Sequence, residues 1–173
     1  MNRMGTWAVG MGVMLVTTPV WAETGKAVIQ GTSADSTVGG VAMLADTPNG
    51  LEVTVNVAGA ESGKHGIHIH QFGDCSNKAN AAGGHYNPDS TPHGFLPKDG
   101  VTNAHPGDMG NLEVRENESG SLTVVLPHVT LGSGTYSVAG RAIVLHEKVD
   151  DFGQPTGNAG GRIGCGIILI TGQ

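Results

Sequence analysis

The sequence predicts an all-β fold: an eight-stranded antiparallel sandwich or barrel with two long functional loops. Three observations carry this expectation. Short β-branched runs recur along the chain between clusters of Gly, Ser, Thr, Asp and Asn. No stretch keeps a helical period over three turns. Glycine supplies 29 of the 173 residues, which suits turns and opposes helices.

Lys26–Gly31 and Val38–Leu44 are the first two runs. Asp46-Thr-Pro-Asn-Gly50 is turn chemistry, and Leu51–Val57 then alternates strictly between apolar and polar, a half-buried strand. His65–His70 is the fourth strand. Gln71–Met109 has no sustained period, and loops of that length in a compact domain are usually functional. Leu112–Arg115 and Ser121–Leu126 flank a hairpin-like turn at Glu116–Gly120. Gly140–His146 is a further strand, ending at a histidine. A second loop covers Glu147–Gly164, and Cys165–Ile170 reads as a buried strand that closes the chain.

Residues 1–22 read as a secretory signal peptide, leaving residues 23–173 as one domain. Arg3 supplies a short positive start, Gly5–Val20 carries no charge, and Val20-Trp21-Ala22 places small residues at −3 and −1 of a cleavage site before Glu23. The apolar stretch is shorter than the ~20 residues a membrane span needs, so we expect no membrane insertion after cleavage. An uncleaved anchor helix is the alternative. We expect a secreted protein, in a bacterial periplasm or outside the cell. The formal net charge is −6. Losing Arg3 makes the mature chain more acidic still, a poor match for nucleic acid or an anionic membrane. In an exported chain, the two cysteines, Cys75 and Cys165, read most simply as one disulfide rather than two buried thiols.

Six of the eight histidines lie between His65 and Asp108. His68 and His70 alternate with Ile67 and Ile69, so a strand puts both imidazoles on one face and both isoleucines on the other. His85, His93, His105 and Asp108 follow in Gly/Pro/Asn-rich chain that can fold back to gather them. A lone surface histidine is usually only a polar side chain, and His65 can be explained by a hydrogen bond to backbone. Seven clustered potential ligands point instead to metal. Imidazole suits zinc and copper, and a carboxylate also fits zinc.

Several fragments, in this order, resemble the copper/zinc superoxide dismutases over nearly all of the mature chain. They are Gly66-Ile-His-Ile-His-Gln-Phe-Gly-Asp74, Ala82-Gly-Gly-His-Tyr-Asn-Pro88, His93-Gly94, His105-Pro-Gly-Asp-Met-Gly-Asn111, Gly140-Arg-Ala-Ile-Val-Leu-His146, Asp150-Asp151 and Gly157–Gly166. The resemblance implies a Greek-key barrel. It implies copper on His68, His70, His85 and His146, and zinc on His85, His93, His105 and Asp108, with His85 in both sites. Asp150 would hold ring N–H groups of His68 and His93. Cys75 and Cys165 match the family's disulfide within one chain. Arg162 matches an arginine beside the open side of copper, where a permanent planar cation suits superoxide.

The implied activity is disproportionation of superoxide to dioxygen and hydrogen peroxide. Zinc has no redox chemistry, so copper would carry the electron, and His85 would pass a proton. Two departures stand out. The loop between His146 and Arg162 is shorter than in familiar animal members and carries only Lys148 as a cation. The mature chain has no tryptophan, so a homodimer, where one forms, cannot use a Trp-based interface. The competing reading is a non-catalytic copper/zinc carrier or buffer on the same fold. A purely structural sandwich has no need for seven ligands.

Overall fold

The computed structural model describes residues 22–172. The leader reading covers residues 1–22, of which 1–21 lie outside them. Nine strands are present: β1 (Thr24–Gly31), β2 (Gly39–Thr47), β3 (Gly50–Ala58), β4 (Gly63–His70), β5 (Asp108–Val114), β6 (Ser119–Leu126), β7 (Ala142–His146), β8 (Arg162–Ile167) and β9 (Leu169–Gly172). Neighbours run β2-β3-β6-β5-β4-β7-β8-β1, all antiparallel, and β1 pairs back with β2. The ring therefore closes as an eight-stranded barrel, with β9 added against β1. Strands β4, β5 and β6 follow one another, and β7 returns to lie beside β4, which is Greek-key order. Closure removes the open edges on which an antiparallel sheet would otherwise recruit other chains.

Period-2 patterning explains which side chains fill the barrel. Along β3, Leu51, Val53, Val55 and Val57 point inward, and Glu52 and Asn56 point out. Ala27 and Ile29 of β1 do the same between Lys26, Val28 and Gln30. On β4, Ile67 and Ile69 are wholly buried in the core, as expected. The only α-helix among the described residues is a single turn, α1 (Leu96–Asp99), inside the long loop.

The structure changes the expected boundaries in two places that matter. First, β5 begins at Asp108, not at Leu112. Gly66 pairs Asn111 while His68 pairs Asp108, so β5 fits one extra residue opposite β4. That bulge needs a left-handed residue, and Gly110 supplies it at φ +83. A Cβ there would come within 3.0 Å of the Phe95 ring. The result sets Asp108 beside His68. Second, Cys165–Ile170 is not one buried strand. The ladder breaks at Ile168, whose N–H donates to Arg141 O. Beyond it β9 pairs with the far end of β1, where Leu169 is 62% and Ile170 47% exposed. A uniformly apolar run gives no sign of where it leaves the core.

Cys75 and Cys165 form a disulfide across 90 residues of sequence, tying the start of the first long loop to β8. The chain-entropy model gives such a ring about 4–5 kcal/mol at most. Cys165→Ser should lower the unfolding free energy by up to about that amount, read from denaturant titration of the metal-free protein. An unchanged midpoint and slope would show that the bridge contributes nothing.

Candidate metal centre

The barrel's β4–β7 side forms the floor of the site. His68 and His70 lie at alternate positions of β4, and His146 ends β7 next to them. His85 reaches the same place because the long loop folds back onto β4. His70 and His85 form a short antiparallel bridge, and Tyr86 N–H donates to Ile69 O at 2.8 Å. His105 and Asp108 share a tight turn closed by Asp108 N–H on His105 O. Asp108 Oδ2 also accepts from the backbone N–H of His105 and of Gly94, both at 3.0 Å. One carboxylate thus ties the chain just after His93 to the turn that carries His105.

These contacts gather two groups of four. His68, His70, His85 and His146 form one; His85, His93, His105 and Asp108 form the other. In each, one donor atom per residue lies within 4.8 Å of all the rest. His85 belongs to both, and its ring stacks on His68 with centroids 3.9 Å apart. His68, His93 and Asp150 make a third group between them. No side chain in these groups is more than 6% exposed. His65 stands apart: its ring nitrogens meet His146 O and Glu61 O, at 2.8 and 2.9 Å.

Hydrogen bonds commit one nitrogen of most rings and leave the other facing the shared space. His68 Nε2 donates to Asp150 Oδ2 at 2.9 Å. His93 Nε2 donates to Asp150 Oδ1, also at 2.9 Å. His70 Nδ1 donates to Gly83 O at 3.0 Å, leaving Nε2 only 3.3 Å from His146 Nε2. The Nδ1 atoms of His68 and His93 are buried with no hydrogen-bond partner. Asp108 Oδ2 is 2.8 Å from His93 Nδ1 but off the line a hydrogen bond requires. Ring and carboxylate therefore face a common point. Buried polar atoms rarely go unpaired. Here they fit a cation: imidazole nitrogen with one carboxylate in the second group, imidazoles alone in the first.

Electrostatics divide the groups in the same way. Burial pushes the His68 imidazole down, and it pushes His70, His146 and His85 down to about 2, 3 and 4. These rings stay neutral, the form in which a nitrogen can take a metal. Burial also opposes charge on His93, but the carboxylates of Asp108 and Asp150 outweigh it and raise the ring to about 9. Asp108 pays the same burial penalty. Hydrogen bonds from His105 and His85, with the His93 ring close by, overcome it and hold the carboxyl well below the usual carboxylate range.

Arg162 starts β8 opposite His146. Its guanidinium donates to Ala79 O and Gly83 O, the latter at 2.6 Å, and Gly83 O is also the acceptor for His70. Beside it opens a cleft of about 370 Å³ lined by His70, His85, His146, Thr156, Asn158 and Gly160. The structure thus brings His68, His70, His85, His93, His105, Asp108, His146, Asp150 and Arg162 into one region. Asn111 carries no role in the sequence reading. It donates from Nδ2 to Asp150 O and accepts from Asp150 N–H at 2.9 and 2.7 Å, which seats Asp150 on the barrel. An amide pairing with backbone leaves no compositional mark, and neither do the Ala79 and Gly83 carbonyls.

A Greek-key barrel with two histidine-rich ligand groups sharing one imidazole defines a class of metal-binding β-barrel proteins. The family model described as copper/zinc superoxide dismutase (SODC) matches residues 38–168, and this chain belongs to that family. A crystal structure of the clock protein EA4 has the same fold. It is 34% identical, spans 91% of this chain and 100% of its own, and superposes with a TM-score of 0.76.

Because the His93 ring is raised to about 9, it carries a proton at pH 7 in the metal-free protein. A cation on its Nδ1 must expel that proton. Zn²⁺ added near pH 7 should therefore release about one proton per chain from this group, fading as pH rises through about 9. A pH-stat titration with no release would contradict the protonated ring.

Proposed function

We propose that this protein is an exported superoxide dismutase. One observation carries the reading most: the shared His85 sits beneath an open cleft that also holds Arg162. We assign His68, His70, His85 and His146 to copper, and His85, His93, His105 and Asp108 to zinc. A ring without its N–H protons offers two donor nitrogens, so His85 can serve both groups. The leader pattern and the disulfide support an oxidising compartment, and we propose a periplasm.

Bound copper would supply the one-electron chemistry, accepting an electron from one superoxide and returning it to the next. Two superoxide anions and two protons then give one dioxygen and one hydrogen peroxide. The chain's own residues do the rest. Arg162 draws the anion into the cleft and orients it with its planar donors. The carbonyls of Ala79 and Gly83 hold the guanidinium in place. His85 meets Asp108 through Nδ1 at 3.0 Å. That leaves Nε2 on the cleft side, where it can carry a proton to the product. Asp150 fixes His68 and His93 together, so the copper and zinc sides hold their shape as one unit. Zinc would set geometry without redox chemistry.

A metal carrier on the same barrel is the competing reading, and the fold does not exclude it, since EA4 shares the fold under another description. A carrier has no use for a cation aimed into an open cleft, which is why Arg162 decides the preference. The direct test is a dismutation assay on protein of measured copper and zinc content. Arg162→Ala should lower kcat/KM roughly ten- to a hundredfold with both metals retained, the worth of one charge-assisted contact. Arg162→Lys should fall between. Wild-type activity should drop with added salt more steeply than that of the Ala variant. Full metal content with unchanged activity in Arg162→Ala would remove Arg162 from the site.

A further inference from the structure

The loop after β7 touches the zinc-side group at more than Asp150. Gln154 lies in its tight turn, where Gly157 N–H donates to Gly153 O and Asp151 N–H donates to Gly157 O. From there its side chain pairs with the main chain of His93 in both directions. His93 N–H donates to Gln154 Oε1 at 3.0 Å, and Gln154 Nε2 donates to His93 O at 2.8 Å. This is the hydrogen-bond pattern of an antiparallel strand pair, made by one side chain. It holds the backbone of the residue whose Nδ1 is buried and unpartnered.

The rest of the His93 environment explains why a backbone clamp matters. Its ring is fixed at Nε2 by Asp150, and Phe152 stacks beside it with centroids 6.3 Å apart and planes 21° from parallel. Those contacts fix how the ring is tilted. The Gly94 N–H on Asp108 Oδ2 holds the chain just after His93. Residues around His93 belong to no strand and to no helix, so no ladder holds the His93 main chain itself. The Gln154 pair does. The same loop then supplies Thr156, Asn158 and Gly160 to the cleft wall.

We propose that Gln154 is a positioning residue for the zinc side: its carboxamide sets the place of the His93 backbone and so the readiness of His93 Nδ1 to take the metal. The inference rests on the assignment of His93 to zinc made above. Asn111 makes the matching two-way pair with Asp150 from the barrel side. The loop is therefore pinned twice by amide side chains, once to β5 and once to His93.

The test compares wild type with Gln154→Ala and Gln154→Met. The Met variant keeps length and apolar bulk and loses only the hydrogen bonds. Zn²⁺ and Cu²⁺ affinities would be measured by chelator competition on the full chain. Co²⁺ would be placed in the zinc-side group and its visible spectrum recorded. In both variants Zn²⁺ affinity should fall roughly tenfold or more, the usual cost of losing a group that orients a ligand. Cu²⁺ affinity should change by less than about twofold, because His93 is absent from that group. The Co²⁺ bands should shift, and the His93 amide should lose its protection from hydrogen exchange while Ile69 and Val144 keep theirs. A Met variant that binds Zn²⁺ like wild type would show that Gln154 only fills space. Equal losses of Zn²⁺ and Cu²⁺ affinity would show a general loosening; either result overturns the proposal. Wild-type protein that takes up no Zn²⁺ would instead remove the assignment of His93 itself, and the inference with it.

Discussion

His85 has to face two ligand groups at once, and most of the architecture follows from that requirement. An imidazole has its two nitrogens on opposite sides of a small ring, so the groups they serve must lie within a few ångströms of each other. The barrel meets this by bringing strand and loop together. β4 delivers His68 and His70, β7 delivers His146, and the loop that folds back on Ile69 and His70 carries His85 between them. The bulge at Gly110 advances β5 by one residue and brings Asp108 level with His68. Without that extra residue, Asp108 would turn to the other face of its strand.

Bringing so many polar groups out of water is costly, and the site is stable because nearly every one has a designated partner. Asp150 takes two imidazoles, Gly83 O takes His70 and Arg162, and Asp108 takes backbone N–H groups from both flanking turns. The unpaired atoms, His68 Nδ1 and His93 Nδ1, are those that face the shared space. Burial keeps the rings of the four-histidine group neutral, the form in which an imidazole nitrogen can take a cation. The disulfide and the Asn111 and Gln154 pairs hold the two long loops over this cluster, where no regular ladder could.

Much of this was readable from the chain, for identifiable reasons. Strands such as Leu51–Val57 announce themselves by alternation, because one face meets the core and the other meets water. The candidate ligands were visible because histidine is otherwise scarce and because His68 and His70 carry the period of a strand. What could not be read depends on backbone atoms or on where an apolar run leaves the core. The Gly83 carbonyl that joins Arg162 to His70 has no residue identity to read. The early start of β5 hides in Asp108-Met-Gly, which looks like loop until the bulge is drawn. Leu169 and Ile170 read as buried because they are apolar. They lie outside because β9 has moved to the rim of β1. Gln154 stands in a Gly/Pro-rich turn where its amide looks like any loop polar group.

The central claim is that one imidazole serves both metals, and metal titration of the His85→Ala protein tests it most directly. Metal-free wild type and His85→Ala would each be titrated with Cu²⁺ and with Zn²⁺, with folding checked by hydrogen exchange at the β4 and β7 amides. A shared ligand predicts that both affinities fall in the variant, each by about tenfold or more, while the barrel stays folded. If only one affinity falls and the other matches wild type, the two groups do not share His85, and the account built on that residue is wrong.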